Sequence, residues 1–516
     1  MPATEPATAA PQLTSEARQL ARVAGSLVGS ALLLVVGTSA MGPSAIEPGL
    51  GPRSGLRGLL PAYSLDLHAS AALVTVLLDA AYLLGGIGVG LGLLAVRRGH
   101  RLDPRKAWLV GVLFAAAAVL VPPVGSADHI NYAAYGRIAV QGGDPYVVAP
   151  AQWHGGTDPV TSAVEPPWTT TPSVYGPVAT ALQAATSVVG GDSLRATVWF
   201  WQLLCAAAWV IIGWLLLRFT TARAGDRSPQ QSRALWLWLL NPVLYGVVLV
   251  GAHVDVLATA FVLIALLLAL RQPFWAGVAL GAATGTKLTM ILAALALVWA
   301  VRRLELGDLV RHLGLGLVGA AVVLVPAHLW AGSHVFDELR VAHRFISLAT
   351  PWRPVFDALE GPVGNDRTRH WIVWLTPVVV LLVAVALARI VRPAAKLQAT
   401  PQGWPEPVEE QVVSDGAVAL VVLGAAYTMA APYSLPWYDV AAWAPLALVA
   451  GGGFDAVLLT RLVVYAVAYV PGRILGGSAT VNDLTLGYRR HVTPYLGLLT
   501  LLAAVVLAVR RRSPTR

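Results

Sequence analysis

SADHINYAAYGRIAVQGGDPYVVAPAQWHGGTDPVTSAVEPPWTTTPSVYGP, Ser126 to Pro177, is a polar and aromatic insert between two long apolar runs. Its first carboxylate, Asp128, follows the run ending at Val124 by only four residues, so it falls where lipid gives way to water. Outward from this insert, 56% of the 516 residues are hydrophobic and only 12% charged, and the mean hydropathy is +0.66. Such a balance excludes a water-soluble domain. The apolar runs are continuous and rich in Ala, Leu and Val over roughly twenty residues, whereas barrel strands alternate over about ten. The fold class is therefore an all-α polytopic membrane protein.

Apolar spans fall at about 22–41, 68–96, 107–124, 195–217, 234–250, 254–270, 313–332, 371–391, 416–432, 438–453, 455–471 and 492–509. Between Arg271 and Arg302 an apolar stretch is broken at Thr284-Gly285-Thr286-Lys287, with basic residues at both ends. It reads as two half-spans forming a hairpin, because a polar break at membrane depth must be lined by protein. Residues 1–17 are Ala/Pro/Thr-rich and are expected to be a disordered cytoplasmic tail, lacking the basic start of a signal peptide. Residues 18–516 form one transmembrane domain with an outer loop at 125–194, a second at 333–370 and a cytoplasmic loop at 392–415. With both termini inside, most of the 36 Lys and Arg fall on the inner side, Arg97, Arg98, Arg302 and Arg303 among them. The net charge of +9 is thus explained by topology, and no nucleic acid is expected as a partner. A single cysteine, Cys205, means that no disulfide framework holds the outer loops.

Within the insert, a short interfacial helix is expected over 132–140, ended by the turn Gly142-Gly143-Asp144-Pro145-Tyr146, and a second over 176–189. Asp128 is the candidate general base, since a partly desolvated carboxylate at a span end has its pKa raised toward a useful value. The bland alternative is a helix-end marker. His129, Tyr132, Asp144, Tyr146 and Tyr175 supply hydrogen-bonding groups for a sugar. His253 and Asp255, at a break between apolar runs, are candidates to bind sugar hydroxyls; as a pair they are too few for a metal site, though a divalent metal is left open. Lys287, at the tip of the apolar hairpin, needs either an anionic ligand such as a lipid phosphate or an internal partner, Asp255 or Asp128. Arg340 and Arg344 are further phosphate candidates, and Trp437, Tyr438 and Asp439, in a turn set by two prolines, are candidates for contacting a sugar. Asp79, the one acid in mid-span, has no assigned role.

These motifs resemble those of the actinobacterial polyprenol-phosphate-mannose-dependent alpha-1,6-mannosyltransferases, multi-span members of the GT-C glycosyltransferase superfamily. The resemblance runs from about Ala107 to Leu446 and rests on Asp-x-x-x-Tyr-Ala-Ala-x-Gly at Asp128 to Gly136, GGDPY, TPSVYGP at Thr171 to Pro177, the NP and HVD elements, TGTK and LPWYD. Together they are fairly specific; singly none is. The chain departs at His253-Val254-Asp255, where relatives often have His-Asn-Asp, and at Asp128-His129-Ile130, where they tend to have Asp-Val-Tyr. The resemblance implies a GT-C-type bundle of about 12–14 transmembrane helices in the plasma membrane, with the active site on the outer face. It further implies inverting transfer of mannose to a lipid-linked glycan, with Asp128 as base and no cofactor beyond the polyprenyl-phosphate-sugar substrate. Lys287 and loop arginines would receive the leaving phosphate. The expected partners are a lipid-linked donor, a lipid-linked acceptor and membrane lipids.

Composition does not separate mannose from arabinose or another sugar on the donor. A transporter or flippase is the rival of another class, but it needs a polar route through the bilayer, and the spans carry little charge beyond Asp79 and Lys287. A non-catalytic assembly partner that binds glycans is the third reading.

Overall fold

The computed structural model describes residues 15–53, 56–220, 228–394, 407–473 and 475–510. Most of the expected N-terminal tail lies outside these residues, as do residues 395–406 of the expected cytoplasmic loop. At both places helix begins within the segment expected to be loop, at Ser15 and at Pro407.

Among the described residues the architecture is helical. Helices α1 (Ser15–Ala40) and α2 (Ala71–Arg97) pack as an antiparallel pair, followed by α3 (Pro104–Ala118). The polar insert folds into α4 (Asp128–Val140), a chain of 3-10 turns and α5 (Pro177–Gly190). Then come α6 (Leu194–Thr220), α7 (Pro229–Leu237), the single turn α8 (Pro242–Leu244), a π-helical segment Tyr245–Val250 and α9 (Asp255–Leu268). The hairpin is α10 (Pro273–Thr286) and α11 (Ile291–Val301), and α12 (Leu306–Ala331) and α13 (Asp337–Ala342) lead to α14 (Trp352–Val363) and α15 (Asn365–Leu387). The chain closes with α16 (Pro407–Ala430), a 3-10 turn Pro436–Asp439, α17 (Val440–Leu446), α18 (Gly453–Ala468), α19 (Ala479–His491) and α20 (Thr493–Arg510).

Among the described residues, eight helical stretches are long and apolar enough to cross a membrane alone. The other expected spans are built from shorter or broken pieces, such as α3, α9, α17 and α18. Proline accounts for part of this: Pro445 lies inside α17, where it removes a backbone donor.

Both ends of the bundle are tied across sequence. At one, loops meet through backbone bonds, Gly125 N to Ile46 O at 3.0 Å and Val124 N to Val250 O at 3.3 Å, and through ion pairs such as Arg473 with Glu165. At the other, Arg233 pairs with Asp455 at 2.6 Å and Arg302 with Asp415 at 2.8 Å, making this the basic end. Both feet of the α10–α11 hairpin stand at this basic end, where Ala269, Val301 and Leu309 share one apolar cluster. His312 Nε2 also lies 2.8 Å from the Leu270 carbonyl oxygen there. The hairpin therefore enters and leaves on one side. Its tip, Lys287, is extended (φ −146, ψ 118) and breaks the helix. Glycines at four-residue spacing, Gly277, Gly281 and Gly285, let α10 lie against its neighbours, and a Cβ at Gly277 would collide with the Gly316 carbonyl of α12.

Candidate functional site

Asp128 is the first residue of α4, where the free backbone N–H groups of a helix start favour negative charge. Its own N–H donates to Ser126 Oγ at 3.2 Å. Its side chain stays 17% exposed, and one carboxylate oxygen lies 3.4 Å from His253 Nδ1. The other nitrogen of His253 is 3.4 Å from Ser126 Oγ. The imidazole is stacked on Trp437, with centroids 3.7 Å apart and planes 12° apart. Three separate sequence segments thus fix one carboxylate–imidazole contact.

What presents His253 is the end of the π-helical segment. Ala252 follows with φ +53, and its carbonyl accepts from Trp201 Nε1 at 2.8 Å, holding the break against α6. One residue beyond Val254, Asp255 opens α9 and accepts from Lys287 Nζ at 2.5 Å. The ammonium also sits 3.3 Å from the Tyr438 ring centroid, a cation–π contact. Of the two ways for Lys287 to be satisfied, the structure shows the internal pair with Asp255.

The polar insert is clipped to the hairpin tip. Gly176 N donates to Thr286 O at 3.3 Å, and a Cβ at Gly176 would strike the Gly285 carbonyl. This brings Tyr175 edge-on to Tyr132, at 5.0 Å between centroids, while Tyr132 leans on Trp201 at 4.9 Å. Beneath Asp255, Lys287 and Tyr438 opens a groove of about 580 Å³, whose walls between α9, α11, α16 and α17 are largely apolar, Leu263, Met290, Leu420 and Leu423 among them.

Several candidates stand elsewhere. His129 is wholly buried with both ring nitrogens unpartnered among the described residues, and burial pushes its pKa down to about 3, with His253 and Arg473 adding to the effect. It is a neutral packing residue behind Asp128. Asp144 caps its own turn, accepting from Tyr146 N at 2.8 Å, and the Tyr146 hydroxyl pairs with Thr180 Oγ1 at 2.7 Å. Asp439, expected to face a sugar, points away into the bundle: both it and Arg461 are 1% exposed and form an ion pair at 3.1 Å. Arg340 is exposed and paired with Asp337, and Arg344 is exposed on the second loop.

Other residues near the site had no local signal in the sequence. Arg473 grips Glu165 from 308 positions away, and Arg461 is invisible until Asp439 is found beside it. Arg489 lies over the Tyr469 ring at 4.3 Å. Only the excess of acids and aromatics in the loops hinted at such partners. Among the described residues no group of three or more His, Cys, Asp or Glu is placed to hold a metal ion.

Residues 23–303 match the family model described as alpha-(1->6)-mannopyranosyltransferase, N-terminal domain, a range holding Asp128, His253, Asp255 and Lys287. The chain belongs to the alpha-(1->6)-mannopyranosyltransferase family. Alpha-(1->6)-mannopyranosyltransferase A of Corynebacterium glutamicum is 30% identical over 253 residues, covering 47% of this chain and 50% of that one. An alpha-(1->6)-mannopyranosyltransferase of Mycobacterium tuberculosis is 30% identical over 273 residues, covering 52% and 43%. The alignment thus spans about half the length of these curated relatives. No solved structure matches. In this member of the mannopyranosyltransferase family, Trp437 and Tyr438 reach the site from beyond the matched range.

Proposed function

We propose that the protein transfers mannose from a polyprenyl-phosphate-mannose donor to a lipid-linked mannan or related glycan, forming alpha-1,6 linkages on the outer face of the plasma membrane. The observation that carries this reading is the pairing of a partly exposed carboxylate, Asp128, with an apolar groove headed by the Lys287 ammonium and its Asp255 partner. A polyprenyl chain needs an apolar groove reachable from the bilayer, its phosphate needs a cation at the head, and an acceptor hydroxyl needs a base.

In this scheme Asp128 accepts the proton of the acceptor hydroxyl as the oxygen attacks the anomeric carbon of beta-mannosyl phosphate. The bond from that carbon to the phosphate oxygen breaks, and polyprenyl phosphate leaves with the electron pair. The proton on Asp128 then passes to water. Attack from the opposite face inverts the anomeric centre and yields the alpha linkage. The leaving group is already an anion, so no general acid is needed, and nearby cations stabilise the developing charge. His253 holds the carboxylate, while Tyr175 and Tyr438, both only partly buried, offer ring faces to a sugar. The ion pairs of Arg233 and Arg302 lie at the opposite end, which supports an outward-facing site under the positive-inside tendency.

The test is to supply membranes with and without the protein with radiolabelled polyprenyl-phosphate-mannose and to analyse the lipid-linked product. Protein-dependent alpha-1,6-linked mannose is expected. Absence of transfer from every polyprenyl-phosphate sugar would remove this reading.

A further inference from the structure

The cations of the loops and helix ends on the Asp128 side of the bundle differ in how their charge is met. Lys287 has Asp255, Arg461 has Asp439, Arg473 has Glu165 and Arg137 has Asp158. Arg489, in the last turn of α19, has no carboxylate partner among the described residues. Its Nε donates to the Ala468 carbonyl at 2.7 Å, and its guanidinium lies 4.3 Å from the Tyr469 ring centroid. Its exposure is intermediate, so it is only partly solvated. A partly desolvated guanidinium without a counter-charge is costly, and its fork of donors is shaped for a phosphate.

The position connects to the site. Tyr469 lies edge-on to Trp437 at 5.9 Å, Trp437 stacks on His253, and His253 touches Asp128. The Tyr433 phenol lies within electrostatic range of both Asp128 and Arg489, and its ring is 6.3 Å from that of Tyr438, which carries Lys287. The Tyr469 hydroxyl is fixed by Ser347 Oγ at 2.8 Å, so the second outer loop helps to hold this wall. Tyr433 and Tyr438 therefore separate two cations, one neutralised by Asp255 and one uncompensated.

We propose that Arg489 is a second anion-binding residue of the site and takes the phosphate group of a lipid-linked substrate. That phosphate is either the one leaving with the donor's polyprenyl chain or one carried by the acceptor lipid. The proposal rests on the polyprenyl-phosphate reading for its choice of probe, but its test reads binding and does not require turnover.

Full-length protein in nanodiscs is titrated with polyprenyl phosphate, with uncharged polyprenol and with a phosphodiester-linked mannolipid, comparing wild type, Arg489→Gln, Arg489→Lys and Arg490→Gln. Arg490 is the exposed neighbour, 3.4 Å from Asp357. Loss of a charge-assisted pair predicts that Arg489→Gln weakens one phosphate ligand on the order of 10- to 100-fold, with polyprenol unchanged. Arg489→Lys should retain part of the affinity and Arg490→Gln all of it. A loss confined to polyprenyl phosphate assigns the donor, and a loss confined to the mannolipid assigns the acceptor. The proposal is overturned if Arg489→Gln binds both phosphate ligands as wild type does, or if polyprenol affinity falls equally, which marks a structural role. If Arg489→Gln does not fold, the decision passes to Arg489→Lys, where wild-type affinity for polyprenol with reduced affinity for a phosphate ligand supports the proposal and an equal loss of both overturns it. Wild type that binds phosphate through Arg489 yet transfers no sugar would sink the proposed function and leave this inference standing.

Discussion

At the scale of single residues, Asp128 gets its setting from three neighbours: the Ser126 hydroxyl on its N–H, His253 at 3.4 Å and Trp437 behind the imidazole. His253→Ala removes the ring that orients the carboxylate, and small misplacements of a catalytic group cost up to about 100-fold in rate. The expected result is a fall of roughly 10- to 100-fold in kcat with donor KM little changed, read in a transfer assay at saturating donor. A wild-type kcat would show that the imidazole does not position the base. Asp439 and Arg461 test a different claim. Breaking a buried pair leaves an uncompensated charge, worth about 3–5 kcal/mol, so Arg461→Met should lower thermal stability sharply. Replacing both partners with apolar residues should restore much of it without raising donor KM, whereas a raised KM in the double variant would return Asp439 to the sugar site.

At the scale of elements, the hairpin was legible because an apolar run broken by TGTK and flanked by arginines has few other solutions in a bilayer. The two short helices of the insert were legible too, although the first begins at Asp128, four residues before the expected start, which puts Asp128 inside a helix turn. The π-helical segment Tyr245–Val250 was not legible, because its irregular hydrogen bonding is imposed by packing. Nor was the contact between Gly176 and the hairpin tip, since a glycine's neighbour cannot be read from its own sequence. That contact makes a prediction: Gly176→Ala must push back the Gly285 carbonyl, moving Tyr175 and Lys287 together. Donor KM and kcat should both worsen while the yield of folded protein stays within about twofold of wild type, as measured by size-exclusion chromatography. An unaffected kcat and KM would mean that the clip is not needed to assemble the site.

At the scale of the whole molecule, the all-α membrane class follows from hydropathy, but the long-range pairs that lock the loops do not. Arg473 to Glu165 and Arg461 to Asp439 join segments whose adjacency depends on the completed bundle. One such junction carries a pH dependence. Glu47, buried among the loops at the site end, is pushed by burial from 4.5 up to about 7, against the opposing pull of Arg473 and Arg195. The folded state therefore holds this proton more tightly than the unfolded chain, so its contribution to stability is complete below about pH 4.5 and is lost as pH rises through about 7. Glu47→Gln should flatten that part of the profile of melting temperature against pH; an unchanged slope would mean that Glu47 does not titrate there. The proposed activity turns on one reaction at one carboxylate. Its most direct test is the rate of transfer from labelled polyprenyl-phosphate-mannose by purified wild type and Asp128→Asn at equal folded concentration. Loss of a general base predicts a fall of about 10²- to 10⁴-fold with donor binding retained, whereas an Asp128→Asn rate within a few-fold of wild type would contradict the account.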